Sequence, residues 1–111
     1  MSIKVFITDD HLLILEGLSA ILESIDGIEI VGIAQSAQNA LEQIPLLMPD
    51  LLITDFHMPK MNGQELLREV KKNYPEIKVL ILSMHEEISE IVELLKDKAD
   101  GYILKNSGKE E

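Results

Sequence analysis

Two spacings of apolar residues alternate along the chain, and they predict strands and helices in turn. Short β-branched or continuous apolar runs, each ended by polar or turn-forming residues, predict five strands. Apolar residues at three- and four-residue steps between these runs predict amphipathic helices. The predicted strands lie at about 3–8, 28–34, 51–54, 79–82 and 101–104. The predicted helices lie at about 12–25, from Ser36 to the region of Pro45 and Pro49, at 64–73 and at 86–97.

The order of these elements predicts the fold class. Because parallel strands need helical crossovers, five strands alternating with helices indicate an α/β fold with a doubly wound parallel sheet. The continuous apolar run 51–54 is typical of a strand buried on both faces at the centre of such a sheet. On the third helix, Lys71 and Lys72 are expected to face outward. A capping box at 107–110 predicts one more helix, and since only Glu111 follows, that last helix is expected to be truncated in this chain.

The composition narrows the classes of function. With 111 residues, of which 46% are apolar, the chain is long enough for one domain with one core. Its net charge of −10 repels nucleic-acid phosphates and anionic lipid, so neither is an expected direct partner. The absence of cysteine excludes disulfides and suits a reducing compartment, which predicts a cytoplasmic location. The first residues resemble neither a signal peptide nor a membrane span, and no membrane partner is expected.

Polar side chains follow four of the predicted strands. Ligands of open α/β sheets bind outside the carboxyl ends of the strands, so these side chains are expected to meet at one edge. Taken singly, each has an ordinary explanation, because acidic residues and serine often cap the next helix and a lysine is often a solvated charge. All of these side chains together at one edge indicate a binding site more strongly than any one of them alone. The residues are Asp9 and Asp10 after the first strand, Asp55 after the third, Ser83 after the fourth and Lys105 after the fifth.

The residue types at this edge predict phosphoryl chemistry. Three crowded carboxylates repel one another unless a cation lies among them, and a set of oxygen ligands fits Mg²⁺ better than zinc. Asp55 is the candidate nucleophile because it leaves the central strand, while Asp9 and Asp10 form the metal side. The Ser83 hydroxyl and the Lys105 ammonium would hold phosphoryl oxygens. The set therefore predicts reversible phosphorylation of a carboxylate.

Four motifs carry a resemblance to a known family: FITDDH, DLLITDFHMPKMNG, VLILSMHEE and DGYILK. Over essentially its whole length, the sequence resembles the receiver domain of bacterial two-component response regulators. The segments TDDH, SMHEE and DGYILKN are most similar to the NarL/FixJ subfamily, whose members carry a LuxR-type helix-turn-helix domain after the receiver. The resemblance implies a flavodoxin-like sheet with strand order 2-1-3-4-5. It also implies one receiver domain over residues 1–111, with its C-terminal helix and effector domain lying outside this chain.

The resemblance further implies a signalling switch that phosphorylation activates. Asp55 would accept a phosphoryl group from a sensor histidine kinase. Mg²⁺ would be bound by Asp10 directly, by Asp9 through water, by Asp55 and by the backbone carbonyl of His57. DNA would be reached only through the missing effector, a transcription regulator, and homodimerisation on phosphorylation is left open. The chain would not be an enzyme beyond its own phosphoryl transfer and autodephosphorylation.

Ser83, Lys105 and Tyr102 complete the roles that the resemblance implies. Ser83 would contact the phosphoryl group, Lys105 would pair with one of its oxygens, and Tyr102 would change rotamer as Ser83 moves. The output would be a shift between two existing states. His57 and His85 lie two residues after the phosphoacceptor and after Ser83. They are interpreted either as exposed loop residues or as groups that orient the hydrolytic water.

Other classes of protein fit the pattern less well. A flavin carrier would need a phosphate cradle after the first strand, where TDDHLL is acidic, and a haloacid-dehalogenase-like phosphatase would need an Asp at position 57. The main alternative is a pseudo-receiver that binds partners without phosphorylation, although such proteins usually lack part of the set found here. His11 lies where the first helix begins and is assigned a surface or capping role. Metal binding by His11 is not expected, because Mg²⁺ prefers oxygen ligands.

Overall fold

The computed structural model describes the backbone of residues 2–83 and 99–104, with side chains for 2–82 and 99–101. Its sheet has five parallel strands in the order β2-β1-β3-β4-β5, which confirms the predicted fold class and strand order. The strands are β1 (Ile3–Thr8), β2 (Ile28–Ala34), β3 (Leu51–Asp55), β4 (Lys78–Ser83) and β5 (Gly101–Leu104). The helices of the described residues are α1 (Leu12–Glu23), α2 (Ala37–Leu47) and α3 (Gly63–Asn73).

Apolar side chains pack on both faces of the sheet. In β1, Val5 and Ile7 pack with Leu15 of α1 on one face, while Phe6 packs on the other. This alternation follows from the two-residue period of a strand. The second face carries the larger cluster, to which the two other helices contribute Ala37, Ala40, Ile44, Leu66, Leu67 and Val70. Helices therefore cover both faces, as the doubly wound prediction requires.

The helix ends follow local chemistry. In α3, the Asn62 side chain accepts from the Glu65 N–H while Glu65 accepts from the Asn62 N–H, a complete capping box that fixes where the helix begins. The last turn of α2 contains Pro45, and the helix ends before Met48, whose φ of 43° is left-handed. The end of α1 comes two residues earlier than predicted, where the Ile25 N–H donates to the Leu22 carbonyl three residues back at 3.0 Å and the Ser24 hydroxyl donates to the Ile21 carbonyl at 2.6 Å.

Lys71 is an exception to the predicted outward face of α3. Its side chain is only 12% exposed, and its ammonium donates to the Ile77 carbonyl at 2.8 Å and to Asp100 at 2.7 Å. Lys72 is exposed, as predicted. The predicted helix at 86–97, the capping box at 107–110 and the residues His85 and Lys105 lie outside the described residues. Within the part that the structure describes, no helix is long and apolar enough to span a membrane.

Candidate functional site

Acidic side chains gather where β1 and β3 end. The two strands are neighbours with Thr8 opposite Thr54, so the residue after β1, Asp9, lies beside Asp55, the last residue of β3. Both carboxylates are buried, with 0% exposure for Asp9 and 3% for Asp55. Asp9, Asp10, His11 and Asp55 each offer one ligand atom, and these four atoms lie within 4.8 Å of one another. The structure thus brings the three predicted carboxylates together.

Backbone contacts hold Asp9 in this place. Its N–H donates to the Ala34 carbonyl at 3.1 Å, which extends the pairing of β1 with β2 by one residue. Its Oδ1 accepts the backbone N–H of His11 at 2.9 Å, at the point where α1 begins. Because both the backbone and the side chain of Asp9 are fixed, the carboxylate is presented at the sheet edge in one orientation.

The loop after β3 is closed tightly behind Asp55. The Phe56 N–H donates to the Leu82 carbonyl at 2.9 Å, and the Gly63 N–H donates to the Phe56 carbonyl at 2.7 Å. A Cβ at position 63 would overlap the backbone carbonyl oxygen of Asp55, so only glycine allows α3 to begin this close to the strand. The loop therefore fixes the backbone of the candidate nucleophile.

Within this loop, Phe56 and Met58 are buried, whereas His57 is exposed and stacks on Phe56 with ring centroids 4.8 Å apart. Lys60 has a φ of 70°, and around it the Met61 N–H donates to the Pro59 carbonyl at 2.9 Å. This pattern is a tight three-residue turn, which bends the loop back toward α3.

The backbone of β4 and β5 reaches the same edge. Leu82 pairs with Asp55, so the next residue, Ser83, ends β4 directly beside the acidic cluster. Ser83 is in turn opposite Leu104, the last residue of β5. The structure therefore places the backbone of Ser83 at the predicted edge, and Tyr102 lies within β5 opposite Ile81.

The donor chemistry of the cluster fits Mg²⁺. Three carboxylates converge at one edge, two of them buried, and carboxylate oxygens are the ligands that this hard cation takes in proteins. The side chain of Asp10 is 29% exposed, which leaves the cluster open to solvent and to the waters that Mg²⁺ usually keeps. Fold and site together define an α/β protein with an acidic cation pocket around the carboxylate of its central strand.

Comparison with known proteins agrees with this description. The profile of the family described as "Response regulator receiver domain" matches residues 5–111. The transcriptional regulatory protein DegU of Brevibacillus brevis is 40% identical over 103 residues, which are 93% of this chain and 44% of that protein. The signal receiver domain of the response regulator NarL from Mycobacterium tuberculosis superimposes with a TM-score of 0.88 at 33% identity, covering 96% of this chain and 86% of that one.

A third similar protein is the Salmonella enterica serovar Typhimurium response regulator RcsB, solved bound to the promoter rprA with the phosphomimetic BeF3⁻. It has a TM-score of 0.89 and 28% identity, with 96% of this chain and 62% of that one covered. The chain belongs to the response regulator receiver domain family, and the resemblance found in the sequence is confirmed. Receiver domains are signalling switches that bind Mg²⁺ in an acidic pocket. The chain spans about half the length of regulators such as DegU.

His11 is 66% exposed, as expected for a surface residue, but the apolar and polar pattern did not predict where its ring lies. Its Nδ1 is 3.1 Å from Asp9 Oδ1 and 3.2 Å from Asp10 Oδ1, and its side chain makes no capping hydrogen bond to α1. One sequence feature could have indicated this position: His11 directly follows Asp9 and Asp10, and a residue this close to the end of a strand stays near the same edge of the sheet.

Proposed function

We propose that this chain is a switch activated by phosphorylation of Asp55 in a reaction that depends on Mg²⁺. The observation that carries the proposal is the position of Asp55, 3% exposed at the end of the central strand, with Asp9 and Asp10 in the same 4.8 Å cluster. A buried carboxylate among other carboxylates is costly for a fold, so its presence at the ligand-binding edge favours a chemical role.

In the proposed transfer, an Asp55 oxygen forms a bond to the phosphorus of a phosphohistidine on a sensor kinase. The phosphorus–nitrogen bond breaks, and the imidazole leaves with its electron pair. Bound Mg²⁺ would supply positive charge that screens the carboxylates from the phosphoryl oxygens. The closed loop behind Asp55 keeps its backbone still, so the carboxylate does not need to be repositioned for attack.

The metal side of the pocket would consist of Asp10 as a direct ligand, Asp9 through water, Asp55 and the backbone carbonyl of His57. Asp9 suits the indirect role, because its Oδ1 already accepts the His11 N–H and is held toward α1. Asp10 is the more exposed of the pair and suits direct ligation.

The phosphoryl side of the pocket would be formed by Ser83, Lys105 and the switch residue Tyr102. Support comes from the pairing of β4 with β5, which ends at Ser83 and Leu104, and Lys105 is the next residue in the sequence. The hydroxyl and the ammonium would hold phosphoryl oxygens, and Tyr102 would move with Ser83.

His57 and His85 would modulate hydrolysis of the phosphorylated state. The His57 ring is exposed, stacks on Phe56 and follows Asp55 by two residues, so it would be able to obstruct or orient a water that attacks the phosphoryl group. A tenfold change in lifetime needs only about 1.4 kcal/mol in the barrier, which one such side chain can supply.

The chain would act as the receiver part of a longer protein in the cytoplasm, over residues 1–111 with the last helix and a helix-turn-helix effector beyond it. DegU, of which this chain matches 44%, is named a transcriptional regulatory protein, and RcsB was solved bound to a promoter. DNA would be bound by the effector alone, since this chain has a net charge of −10. Its other partners would be a sensor histidine kinase and, on phosphorylation, a second copy of itself. Its only catalysis would be its own phosphoryl transfer and autodephosphorylation.

The test is labelling by a small-molecule donor, acetyl phosphate, followed by intact mass. With Mg²⁺ we expect the mass of one phosphoryl group, stable to acid and lost in base or hydroxylamine, and no gain in EDTA. Asp55→Asn should abolish the gain, whereas Asp26→Asn, at an exposed turn residue, should retain it. Labelling of Asp55→Asn at the wild-type level would show that another residue is the acceptor. No labelling of the wild type would favour the pseudo-receiver alternative.

A further inference from the structure

The ring of His11 lies among the cation-binding carboxylates. Its Nδ1 is 3.1 Å from Asp9 Oδ1 and 3.2 Å from Asp10 Oδ1, and His11 is one of the four residues of the cluster that Asp55 completes. The imidazole makes no capping hydrogen bond to α1 and is held instead by its contact with Asp9, a hydrogen bond that a metal ion bound to Nδ1 would replace. Its side chain is 66% exposed, which leaves it free to adjust toward an ion in the pocket.

The spacing of the four groups can be compared with that of four ligands on a single ion. With metal–ligand bonds of about 2.0–2.2 Å, the ligand atoms of a tetrahedral Zn²⁺ site are roughly 3.3–3.6 Å apart. The two Nδ1–carboxylate distances already have the spacing of neighbours. The full cluster, spread over 4.8 Å, would have to contract by roughly 1.2 Å, which the exposed His11 ring and the part-exposed Asp10 side chain allow.

We propose that His11 gives this pocket a second cation specificity, for a divalent transition-metal ion such as Zn²⁺ that competes with Mg²⁺. The ligands would be Nδ1 of His11, in the neutral form with its hydrogen on Nε2, and one oxygen each from Asp9, Asp10 and Asp55. Imidazole nitrogen is a good ligand for Zn²⁺ and a poor one for Mg²⁺. His11 would therefore add affinity for the first ion and little for the second.

The inference rests on the proposed Mg²⁺ and phosphoryl site and adds a consequence for it. Zn²⁺ held by four protein ligands has a closed coordination shell, whereas Mg²⁺ held by oxygens keeps exchangeable waters. A phosphoryl oxygen can displace such a water but has no place on the closed ion. Zn²⁺ bound through His11 would thus block phosphoryl acceptance by Asp55.

The test is calorimetric titration of the untagged protein with Zn²⁺ and, separately, with Mg²⁺, at one pH. We expect Zn²⁺ to bind with one equivalent and to be weakened in a competitive manner by Mg²⁺. In His11→Ala the Zn²⁺ Kd should rise by about tenfold or more, since loss of even an outer-shell partner of a metal ligand costs about that much affinity. The Mg²⁺ Kd should change by less than about twofold. Asp26→Asn removes an exposed carboxylate that is not in the cluster, and it should bind Zn²⁺ like the wild type.

The ring nitrogens of His11 provide a second readout, which a merely structural role would not change. Zn²⁺, which would bind Nδ1 directly, should shift the ¹⁵N resonance of Nδ1 much more than Mg²⁺, which would bind only the neighbouring carboxylates. Zn²⁺ affinity that survives in His11→Ala, an equal loss in Asp26→Asn, or a parallel loss of Mg²⁺ affinity in a folded His11→Ala would each overturn the inference. Labelling of the wild type by acetyl phosphate in Mg²⁺ alone tests the underlying site separately, since it succeeds or fails without Zn²⁺.

Discussion

The two ends of the sheet both contain carboxylates, but the surroundings of those carboxylates are opposite. At the carboxyl ends of the strands, Asp9, Asp10 and Asp55 face one another. At the amino ends, Asp50 and Asp100 each face hydrogen-bond donors. The Oδ2 atom of Asp50 accepts the Lys4 N–H at 2.9 Å, and that of Asp100 accepts the Val79 N–H at 2.9 Å.

Of the two carboxylates at the amino ends of the strands, Asp100 has its negative charge more fully balanced by hydrogen bonds and by a cation. Its Oδ2 is 2.7 Å from the Lys71 ammonium, which also donates to the Ile77 carbonyl, and its backbone N–H donates to the Val79 carbonyl. Partial burial raises the pKa of Asp100, but the hydrogen bonds from Lys71 and from the Val79 N–H outweigh burial and hold that pKa below its ordinary value. The ionised carboxylate is thus part of the folded structure.

The carboxylates at the two ends of the sheet therefore have different roles, one set in stability and the other in function. At the amino end, each carboxylate is satisfied by the protein and joins neighbouring strands. At the carboxyl end, like charges are held together by the backbone around them, an arrangement that a bound cation would relieve. We expect substitutions at the amino end to destabilise the fold and removal of a carboxylate at the other end to stabilise it.

The largest expected effect is the loss of stability on adding a side chain at position 63, next to the carboxyl end of β3. Gly63→Ala should lower the free energy of unfolding by about 2–4 kcal/mol, because its Cβ would overlap the Asp55 carbonyl oxygen and force the loop away. Urea denaturation measures the change. Gly17→Ala is the matched control, since a Cβ there meets nothing within 4 Å and should stabilise α1 by about 0.5–1 kcal/mol. Equal effects of the two variants would show that the close approach is unimportant.

The next effect tests the ion pair of the amino end. Lys71→Met removes two hydrogen bonds and leaves Asp100 without its cation, and it should cost about 1–2 kcal/mol, less than a fully buried pair because Asp100 is 29% exposed. Lys72→Met changes the exposed neighbour in the same helix and should change the stability by less than about 0.5 kcal/mol. If the two variants unfold at the same urea concentration, the pair contributes nothing.

A smaller effect is the pH dependence that Asp100 introduces. Since its pKa is lower in the folded than in the unfolded protein, its contribution to stability is complete above the unfolded value of about 4 and is lost as the pH falls through the folded value. The stability difference between wild type and Asp100→Asn should therefore be constant near neutral pH and shrink below about pH 4. Asp26→Asn controls for the loss of one acidic group. A difference that grows on acidification would contradict the direction of the pKa shift.

The fold and the acidic edge could be predicted because their signals are local. Each strand shows its own apolar run, and Asp9, Asp10 and Asp55 stand directly at strand ends, which a parallel sheet brings to one edge. The Lys71–Asp100 pair could not be predicted in this way. Its partners are 29 residues apart, and helix periodicity alone places Lys71 among the solvated charges.

One detail of the site and one helix end depend on contacts that the apolar and polar pattern does not show. The ring of His11 is placed by the contacts of its Nδ1 with Asp9 and Asp10, which involve the rotation of a side chain at the start of α1. The early end of α1 coincides with the hydrogen bonds of Ser24 and Ile25 to carbonyls three residues back, although the apolar spacing continues to Ile25.

The most direct test of the account is thermal unfolding of Asp10→Ala and wild type, each with Mg²⁺ and with EDTA. Removing one of three crowded carboxylates should raise the Tm in EDTA and reduce the further rise that Mg²⁺ produces in the wild type. The two changes have opposite consequences for stability, so a general loss of structure cannot imitate them. A Tm in EDTA that does not rise, together with an unchanged response to Mg²⁺, would contradict a shared cation pocket at the carboxyl end of the sheet.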